Sequence, residues 1–163
     1  MGTGKSSVGQ IVAEELQFSF IDTDELIEGR LGMTIADVFS RQGEAFFRRY
    51  EQELVKELVT ERDVVISTGG GLAVNPLNMT SLKTHSLVVC LWAAPEVILE
   101  RVHTQTHRPL LQTLDPLASI RELLAVRSPF YRKADVLIQS GMRPPKEVAQ
   151  QVIHQFQLAR GGR

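Results

Sequence analysis

Short apolar runs, separated by segments with helical spacing, constrain the fold of this chain more than any other feature. Val64–Ser67, Leu87–Trp92 and Val136–Gln139 show no alternation of apolar and polar residues. Strands of this kind are buried on both faces, as they are in a parallel sheet that helices cover on each side. We therefore predict an α/β domain with a parallel β-sheet, flanking helices and right-handed crossovers.

The same patterns divide the whole chain into elements, with no repeat or linker that would split it. The 163 residues are one domain by length. Thr104–Asp115 is polar and too long for an ordinary connection, which predicts a lid loop. The predicted strands are 18–22, 64–67, 87–92 and 136–139, and the predicted helices are 5–17, 25–31, 35–41, 45–60, one from 95, 116–128 and one from 146.

Composition excludes several classes of protein. The chain is 43% hydrophobic and 23% charged, as globular domains are, and its net charge of −1 gives no general attraction for nucleic acid or anionic lipid. Its one cysteine, Cys90, excludes a disulfide framework. No apolar stretch approaches the ~20 residues of a membrane span. We expect a cytoplasmic monomer with neither nucleic-acid nor membrane partners.

The chain opens with a glycine-rich loop that leads directly into an amphipathic helix. It matches the second half of the phosphate-binding pattern G-x-x-x-x-G-K-[ST]. Backbone N–H groups and the helix N-terminus would hold phosphate oxygens, Lys5 would reach the β- and γ-phosphates, and Ser6 would ligate Mg²⁺. An ordinary glycine-rich helix cap remains the alternative. The loop consists of Gly2, Thr3, Gly4, Lys5, Ser6 and Ser7.

Two carboxylates end the first predicted strand. Asp22 and Asp24 stand at its carboxyl end, where ligands bind in open α/β sheets, and alternation would point both to one side. One would help to hold Mg²⁺ through water, and the other would take or orient an acceptor hydroxyl. The alternative is an N-cap for a helix that begins at Glu25.

Glycines and arginines supply the remaining candidates. Gly69, Gly70 and Gly71 end a strand, which suits a backbone that approaches a ligand closely. Arg48 and Arg127 lie in patterned helical segments, and Arg108, in the predicted lid, could stabilise charge on a transferring phosphoryl group. A flexible turn and surface ion pairs remain the alternatives for these residues.

Taken in order, these segments resemble the shikimate kinase family over nearly the whole chain. No single motif is specific, but six of them at family-like spacing are highly specific. They are Gly4-Lys5-Ser6-Ser7-Val8-Gly9, Phe20-Ile21-Asp22-Thr23-Asp24, Gly43-Glu44 with Phe47-Arg48 and Glu51, Ser67-Thr68-Gly69-Gly70-Gly71, Arg108-Pro109-Leu110-Leu111, and Arg127-Ser128-Pro129-Phe130-Tyr131.

The resemblance implies an activity: transfer of the γ-phosphoryl group of ATP to the 3-hydroxyl of shikimate, in aromatic amino-acid biosynthesis. It implies substrate-binding helices at about 23–60, Mg²⁺ at Ser6 and Asp22, and ATP as co-substrate. The roles it implies for single residues are charge stabilisation by Lys5 and Arg108, a base at Asp24, adenine contacts at Arg101 and Arg143, and shikimate binding by Asp24, Arg48, Gly69, Gly70, Gly71 and Arg127.

The resemblance also implies a sheet of five strands in the order 2-3-1-4-5, of which this chain lacks the first. The first glycine of the phosphate-binding pattern would lie two residues before Met1, and the strand that feeds the loop would precede it. Its absence would leave strands 3 and 4 without the partner between them. We expect the natural polypeptide to begin upstream, and an in-frame stop directly before the Met1 codon would contradict this.

Two other functions remain open from the sequence. One is another small-metabolite kinase of the phosphate-loop class, for instance one that acts on gluconate. The other is a non-catalytic protein of the same fold, which binds a ligand or a partner. The pairing of Arg48 with Arg127 disfavours the first alternative, and the presence of all the matched polar residues disfavours the second.

Overall fold

The computed structural model describes residues 2–102 and 113–161 and confirms the α/β class. None of the helices in these two ranges is long and apolar enough to cross a membrane. In chain order the elements are α1 (Lys5–Leu16), β1 (Ser19–Asp22), α2 (Thr23–Leu31), α3 (Ile35–Gln42), α4 (Glu44–Leu58), β2 (Val64–Ser67), a 3₁₀ turn (Leu72–Val74), α5 (Pro76–His85), β3 (Val89–Trp92), α6 (Pro95–Val102), α7 (Pro116–Tyr131), β4 (Val136–Gln139) and α8 (Pro145–Gly161).

The strands form two parallel pairs. β1 pairs with β2 and β3 pairs with β4, with Ser19 opposite Val64 and Val89 opposite Val136. Within the described ranges no ladder joins β2 to β3. This is the arrangement expected of the order 2-3-1-4-5 without its first strand.

One apolar cluster joins the two strand pairs into a common layer. Val8 and Val12 of α1 pack with Val148 of α8, and the two helices lie against each other along much of their length. Val65 of β2 and Val89 of β3 pack against this same cluster. The helices therefore hold the two pairs side by side, with the carboxyl ends of the strands on one edge.

A second apolar cluster supports the segment between β1 and β2. Ile27, Val38, Phe47 and Leu54 are almost completely buried within it. It anchors α2, α3 and α4, which correspond to the substrate-binding helices that the resemblance implies. α2 begins directly after β1, and Arg48 of α4 lies against Gly71, so these two helices reach the carboxyl edge of the strands.

The sequence missed one helix, α5, and misplaced three helix boundaries by two or three residues: the start of α2 and the ends of α4 and α7. Only three of the ten residues of α5 are Leu or Met, which gives too weak a periodic signal, although Asn75 caps it and Pro76 begins it. α7 continues through Pro129 to Tyr131, three residues beyond its predicted end. α2 begins at Thr23, so that Asp22 is its N-cap and Asp24 lies in its first turn.

Candidate active site

The predicted phosphate loop, both aspartates and Arg127 line one cavity at the carboxyl ends of the strands. The cavity has a volume of about 670 Å³. The position of the cavity at this edge agrees with the rule that ligands bind outside the carboxyl ends of parallel strands. The polar and glycine residues that line it are Gly2, Thr3, Gly4, Lys5, Ser6, Ser7, Asp22, Asp24, Ser67, Thr68, Gly69, Gly70, Arg101, Arg127, Ser140 and Arg143.

The phosphate loop has the backbone that an anion cradle requires. Gly2 and Gly4 adopt left-handed conformations, with φ of 64° and 84°, and α1 begins at the next residue, Lys5. A Cβ at Gly2 would lie 2.9 Å from Val102 Cγ1, so that only glycine fits. Gly4 caps the helix with no side-chain hydrogen bond. The N–H groups at the start of α1 are therefore directed at the cavity and can bind an anion.

Contacts from distant segments hold this loop in place. The buried Ser140 hydroxyl donates to the Thr3 carbonyl oxygen at 2.7 Å. Arg101 donates to the carbonyl oxygens of Ser140 at 2.8 Å and Gly2 at 3.5 Å. Arg101, which the resemblance assigned to adenine, thus supports the backbone around the loop, while the exposed Arg143 lines the cavity.

Ser6 and Asp22 lie together, as the metal prediction requires. The Ser6 hydroxyl donates to Asp22 Oδ2 at 2.7 Å and lies 3.4 Å from the Ser67 hydroxyl. Asp22 Oδ1 accepts from the Asp24 backbone N–H at 3.0 Å. In the described part of the chain no three His, Cys, Asp or Glu side chains cluster as a metal site. A metal here would therefore have few protein ligands.

The glycine run is packed against the two predicted substrate residues. A Cβ at Gly69 would lie 2.5 Å from Asp24 Oδ1, and a Cβ at Gly71 would overlap the Arg48 guanidinium. The Gly69 N–H donates to the hydroxyl of Thr23, which is fully buried, at 3.1 Å. An added Cβ at Gly69 or Gly71 would therefore displace Asp24 or Arg48, which favours a close approach of the backbone to the site over a merely flexible turn.

Arg48 is held by two carboxylates on its own helix. Its Nη1 lies 2.6 Å from Glu51 Oε2, and its Nη2 lies 3.0 Å from Glu44 Oε1. The guanidinium also lies over the rings of Phe39 and Phe47, 5.8 and 5.3 Å from the centroids. Burial alone would lower the pKa of Arg48, but the contacts with Glu51 and Glu44 outweigh it and raise that pKa.

Glu51 is a buried carboxylate that links the charged groups of the site. Only 1% of the residue is exposed, and burial raises the pKa of its carboxyl group above 4.5 despite the contact with Arg48. The charge of Asp24 also raises this pKa, whereas the charge of Arg127 lowers it. Three charged groups from separate helices are therefore close enough to Glu51 to interact with it electrostatically: Arg48, Asp24 and Arg127.

The remaining predictions fall partly outside the described residues. Arg108 and residues 104–112 of the predicted lid lie outside them. Asp115 is described, and it caps α7 by accepting from the Ala118 N–H at 2.9 Å. Arg48 contacts Gly71 but does not line the 670 Å³ cavity that Arg127 lines.

Sequence reasoning missed three hydroxyl groups that hold the site together. They belong to Thr23, Ser140 and Tyr131, and each bonds to the backbone of a glycine-containing loop. Thr23 and Ser140 directly follow a strand, the position that drew attention to Asp22 and Asp24. A search of every strand end for hydroxyl residues would have found those two. Tyr131 carries no comparable local signal.

Comparison with known proteins gives consistent matches along the chain. Residues 1–157 match the family model described as shikimate kinase. The shikimate kinase of Thermodesulfovibrio yellowstonii is 44% identical over 163 residues, which are 100% of this chain and 94% of that protein. The shikimate kinase of Thermus thermophilus is also 44% identical, over 96% of this chain and 85% of its own length.

Solved structures agree with these relatives. Shikimate kinase from Acinetobacter baumannii, in complex with shikimate, has a TM-score of 0.91 and 35% identity, and the match covers 98% of this chain and 89% of that one. A gluconokinase from Sinorhizobium meliloti has a TM-score of 0.57 at 18% identity, which is a likeness of fold alone. The family model and the full-length relatives together show that this chain belongs to the shikimate kinase family, for which ATP is the co-substrate.

Proposed function

We propose that this chain transfers the γ-phosphoryl group of ATP to the 3-hydroxyl of shikimate, giving 3-phosphoshikimate and ADP in the shikimate pathway. The observation that carries the proposal is the single cavity that contains both the phosphate loop and the Asp24, Gly70 and Arg127 group. A donor and an acceptor bound in one cavity can react directly. The similarity to a shikimate kinase that holds shikimate supports the choice of acceptor.

On the nucleotide side, the N–H groups of the phosphate loop bind the phosphates. Lys5, at the start of α1, neutralises charge on the β- and γ-phosphates. The hard oxygen donors of Ser6 and Asp22, 2.7 Å apart, fit Mg²⁺, which binds few protein ligands and keeps several waters. Bound there, Mg²⁺ would supply positive charge to the phosphate oxygens. Arg143, an exposed residue that lines the cavity, would contact the nucleoside, as the resemblance implies.

On the acceptor side, the arginines bind a carboxylate and the other groups bind hydroxyls. The planar forks of Arg48 and Arg127 suit the shikimate carboxylate. Asp24 and the backbone of Gly70 and Gly71 face the ring hydroxyls. Because Glu51 already offsets Arg48, Arg127 supplies the positive charge for the substrate carboxylate.

The chemical step requires positioning and charge stabilisation more than covalent help. The Asp24 carboxylate accepts the proton of the 3-hydroxyl as the hydroxyl oxygen of the substrate attacks the γ-phosphorus. The bond from that phosphorus to the β–γ bridging oxygen breaks, and ADP leaves with the electron pair. Lys5 and Arg108, the latter proposed from the resemblance, stabilise the charge on the transferring group.

The other assignments of the sequence remain proposals of the same kind. We propose a single kinase domain over residues 1–163 that acts in the cytoplasm as a monomer, without nucleic-acid or membrane partners. A gluconate kinase is disfavoured because the gluconokinase likeness is one of fold alone. A non-catalytic binding protein is disfavoured because Lys5, Asp24 and Arg127 are all present in one cavity.

The test measures ADP release by the purified 163-residue chain with Mg²⁺ and ATP. Shikimate, gluconate and no acceptor are compared. Arg127→Ala is expected to raise KM for shikimate at least about tenfold, since a charge-assisted bidentate contact is lost. Arg132→Ala, an exposed arginine at the end of the same helix, is the control and should change nothing. Turnover with gluconate but not with shikimate would contradict the proposal.

A further inference from the structure

The hydroxyl of Tyr131 bonds to the backbone of the glycine run. It donates to the Gly70 carbonyl oxygen at 2.7 Å, and the two residues are 61 positions apart in the sequence. Tyr131 lies in the last turn of α7, one helical turn after Arg127. Residues four apart lie on the same helix face, so the hydroxyl and the Arg127 side chain leave α7 on the same side. The bond therefore ties the helix that carries Arg127 to the glycine backbone.

The bond from Tyr131 orients the whole Gly70–Gly71 peptide group and not the Gly70 carbonyl oxygen alone. The Gly70 carbonyl and the Gly71 N–H belong to one planar trans peptide, so that a fixed carbonyl direction also fixes the N–H direction. Two neighbouring glycines have no side chains to restrict rotation of this peptide. The preceding Gly69 N–H is already fixed by Thr23. The Leu72 and Val74 N–H groups donate to the carbonyl oxygens of Gly69 and Gly71, and the Tyr131 hydroxyl restrains the Gly70–Gly71 peptide between them.

We propose that Tyr131 is a positioning residue for the acceptor substrate. Its hydroxyl holds the Gly70–Gly71 peptide at a set orientation and distance from Arg127, so that the backbone and the guanidinium engage one shikimate molecule together. The inference rests on the proposed function. Tyr131 acts through the loop and through α7, because its hydroxyl bonds to the Gly70 carbonyl oxygen and its helix carries Arg127.

The test uses Tyr131→Phe, which removes one oxygen atom and keeps the ring. Tyr50→Phe is the matched control, because Tyr50 is the other of the two tyrosines in the chain and its hydroxyl interacts with Arg30, away from the cavity. For each protein, KM for shikimate, KM for ATP, kcat and Tm are measured. Calorimetry gives the Kd of shikimate without ATP.

Tyr131→Phe is expected to raise KM and Kd for shikimate about three- to tenfold, the effect of one lost hydrogen bond. KM for ATP should stay within twofold, and Tm should fall by no more than about 4 °C. Amide hydrogen exchange should become faster at residues 69–72 but not within α7. Tyr50→Phe should leave both KM values unchanged.

Three results would overturn the inference: an unchanged KM for shikimate, an equal rise in both KM values, or a variant that does not fold. The last two would mean that the hydroxyl supports the domain as a whole. A wild-type chain without shikimate-dependent turnover would instead contradict the proposed function, and the inference with it. Failure of the inference alone therefore appears as an active wild type together with any one of these three results for Tyr131→Phe.

Discussion

The Glu51 carboxylate lies 2.6 Å from the Arg48 guanidinium and is almost completely buried, whereas the Arg48 side chain keeps 30% of its surface exposed. The carboxylate is therefore the inner partner of this pair, and the arginine reaches from it toward the glycine run. A guanidinium held by Glu51 and Glu44 and stacked near two rings has little freedom to turn. Arg48 is thus oriented before any ligand arrives.

Removal of Glu51 should weaken both the fold and acceptor binding. Glu51→Ala leaves Arg48 without its buried partner, and we expect the free energy of unfolding to fall by about 2 kcal/mol, with the partial exposure of Arg48 reducing the loss. KM for shikimate should rise about tenfold because Arg48 is no longer oriented. Urea denaturation and steady-state kinetics measure the two effects.

The control is Glu53→Ala, on the same helix. Its carboxylate pairs with Lys56, but both side chains are more than half exposed. The free energy of unfolding should change by no more than about 0.5 kcal/mol. Equal losses in the two variants would contradict the account of Glu51.

Glu51 should also leave a signature in the pH dependence of stability. Burial raises its pKa in the folded state above 4.5, so that between pH 4.5 and the raised value the folded state binds more protons than the unfolded state. Stability must then fall as pH rises through this window, by up to about 1.4 kcal/mol per pH unit. The free energy of unfolding of wild type minus that of Glu51→Gln is measured across this range and should fall as pH rises. A rise of this difference with pH would contradict the prediction.

Alanine at Gly69 or Gly71 should damage the site for steric reasons. The added Cβ would meet Asp24 in the first case and Arg48 in the second, and either side chain would have to move. We expect kcat/KM for shikimate to fall at least about tenfold, since small displacements of reacting groups are costly. Gly29→Ala is the matched control. Gly29 is an exposed position within α2 with no atom near the new Cβ. The variant's free energy of unfolding should rise by about 0.5–1 kcal/mol, and its activity should be unchanged.

Removal of the Ser140 hydroxyl should weaken the binding of ATP and leave the binding of shikimate unchanged. It donates to the Thr3 carbonyl and thereby holds the phosphate loop. Ser140→Ala is expected to raise KM for ATP about three- to tenfold and to leave KM for shikimate unchanged. Ser86→Ala removes a similar bond, to the Leu82 carbonyl, on the exposed end of α5 and serves as the control. A change confined to shikimate would contradict the assignment.

Local chemistry explains why much of this protein could be predicted from its sequence. Val64–Ser67 and Val136–Gln139 match their predicted bounds because three consecutive apolar, mostly β-branched residues in a short run leave few alternatives to a strand. The left-handed backbone at Gly2 and Gly4 depends on the residue type itself. The contact between Ser6, in the first turn of α1, and Asp22, at the end of β1, agrees with their prediction as one metal site. α5 was missed because its helix depends on capping and packing more than on periodicity.

The sequence alone thus determined the α/β class, the phosphate loop and the residue types of the site, since all of these depend on neighbours along the chain. Only the tertiary structure decided which atoms restrain that site. The bonds from Thr23 to Gly69, from Tyr131 to Gly70 and from Ser140 to Thr3 span 46, 61 and 137 residues. A hydroxyl finds such a partner only after crossovers and packed helices bring distant backbone within about 3 Å, and no local pattern records that distance.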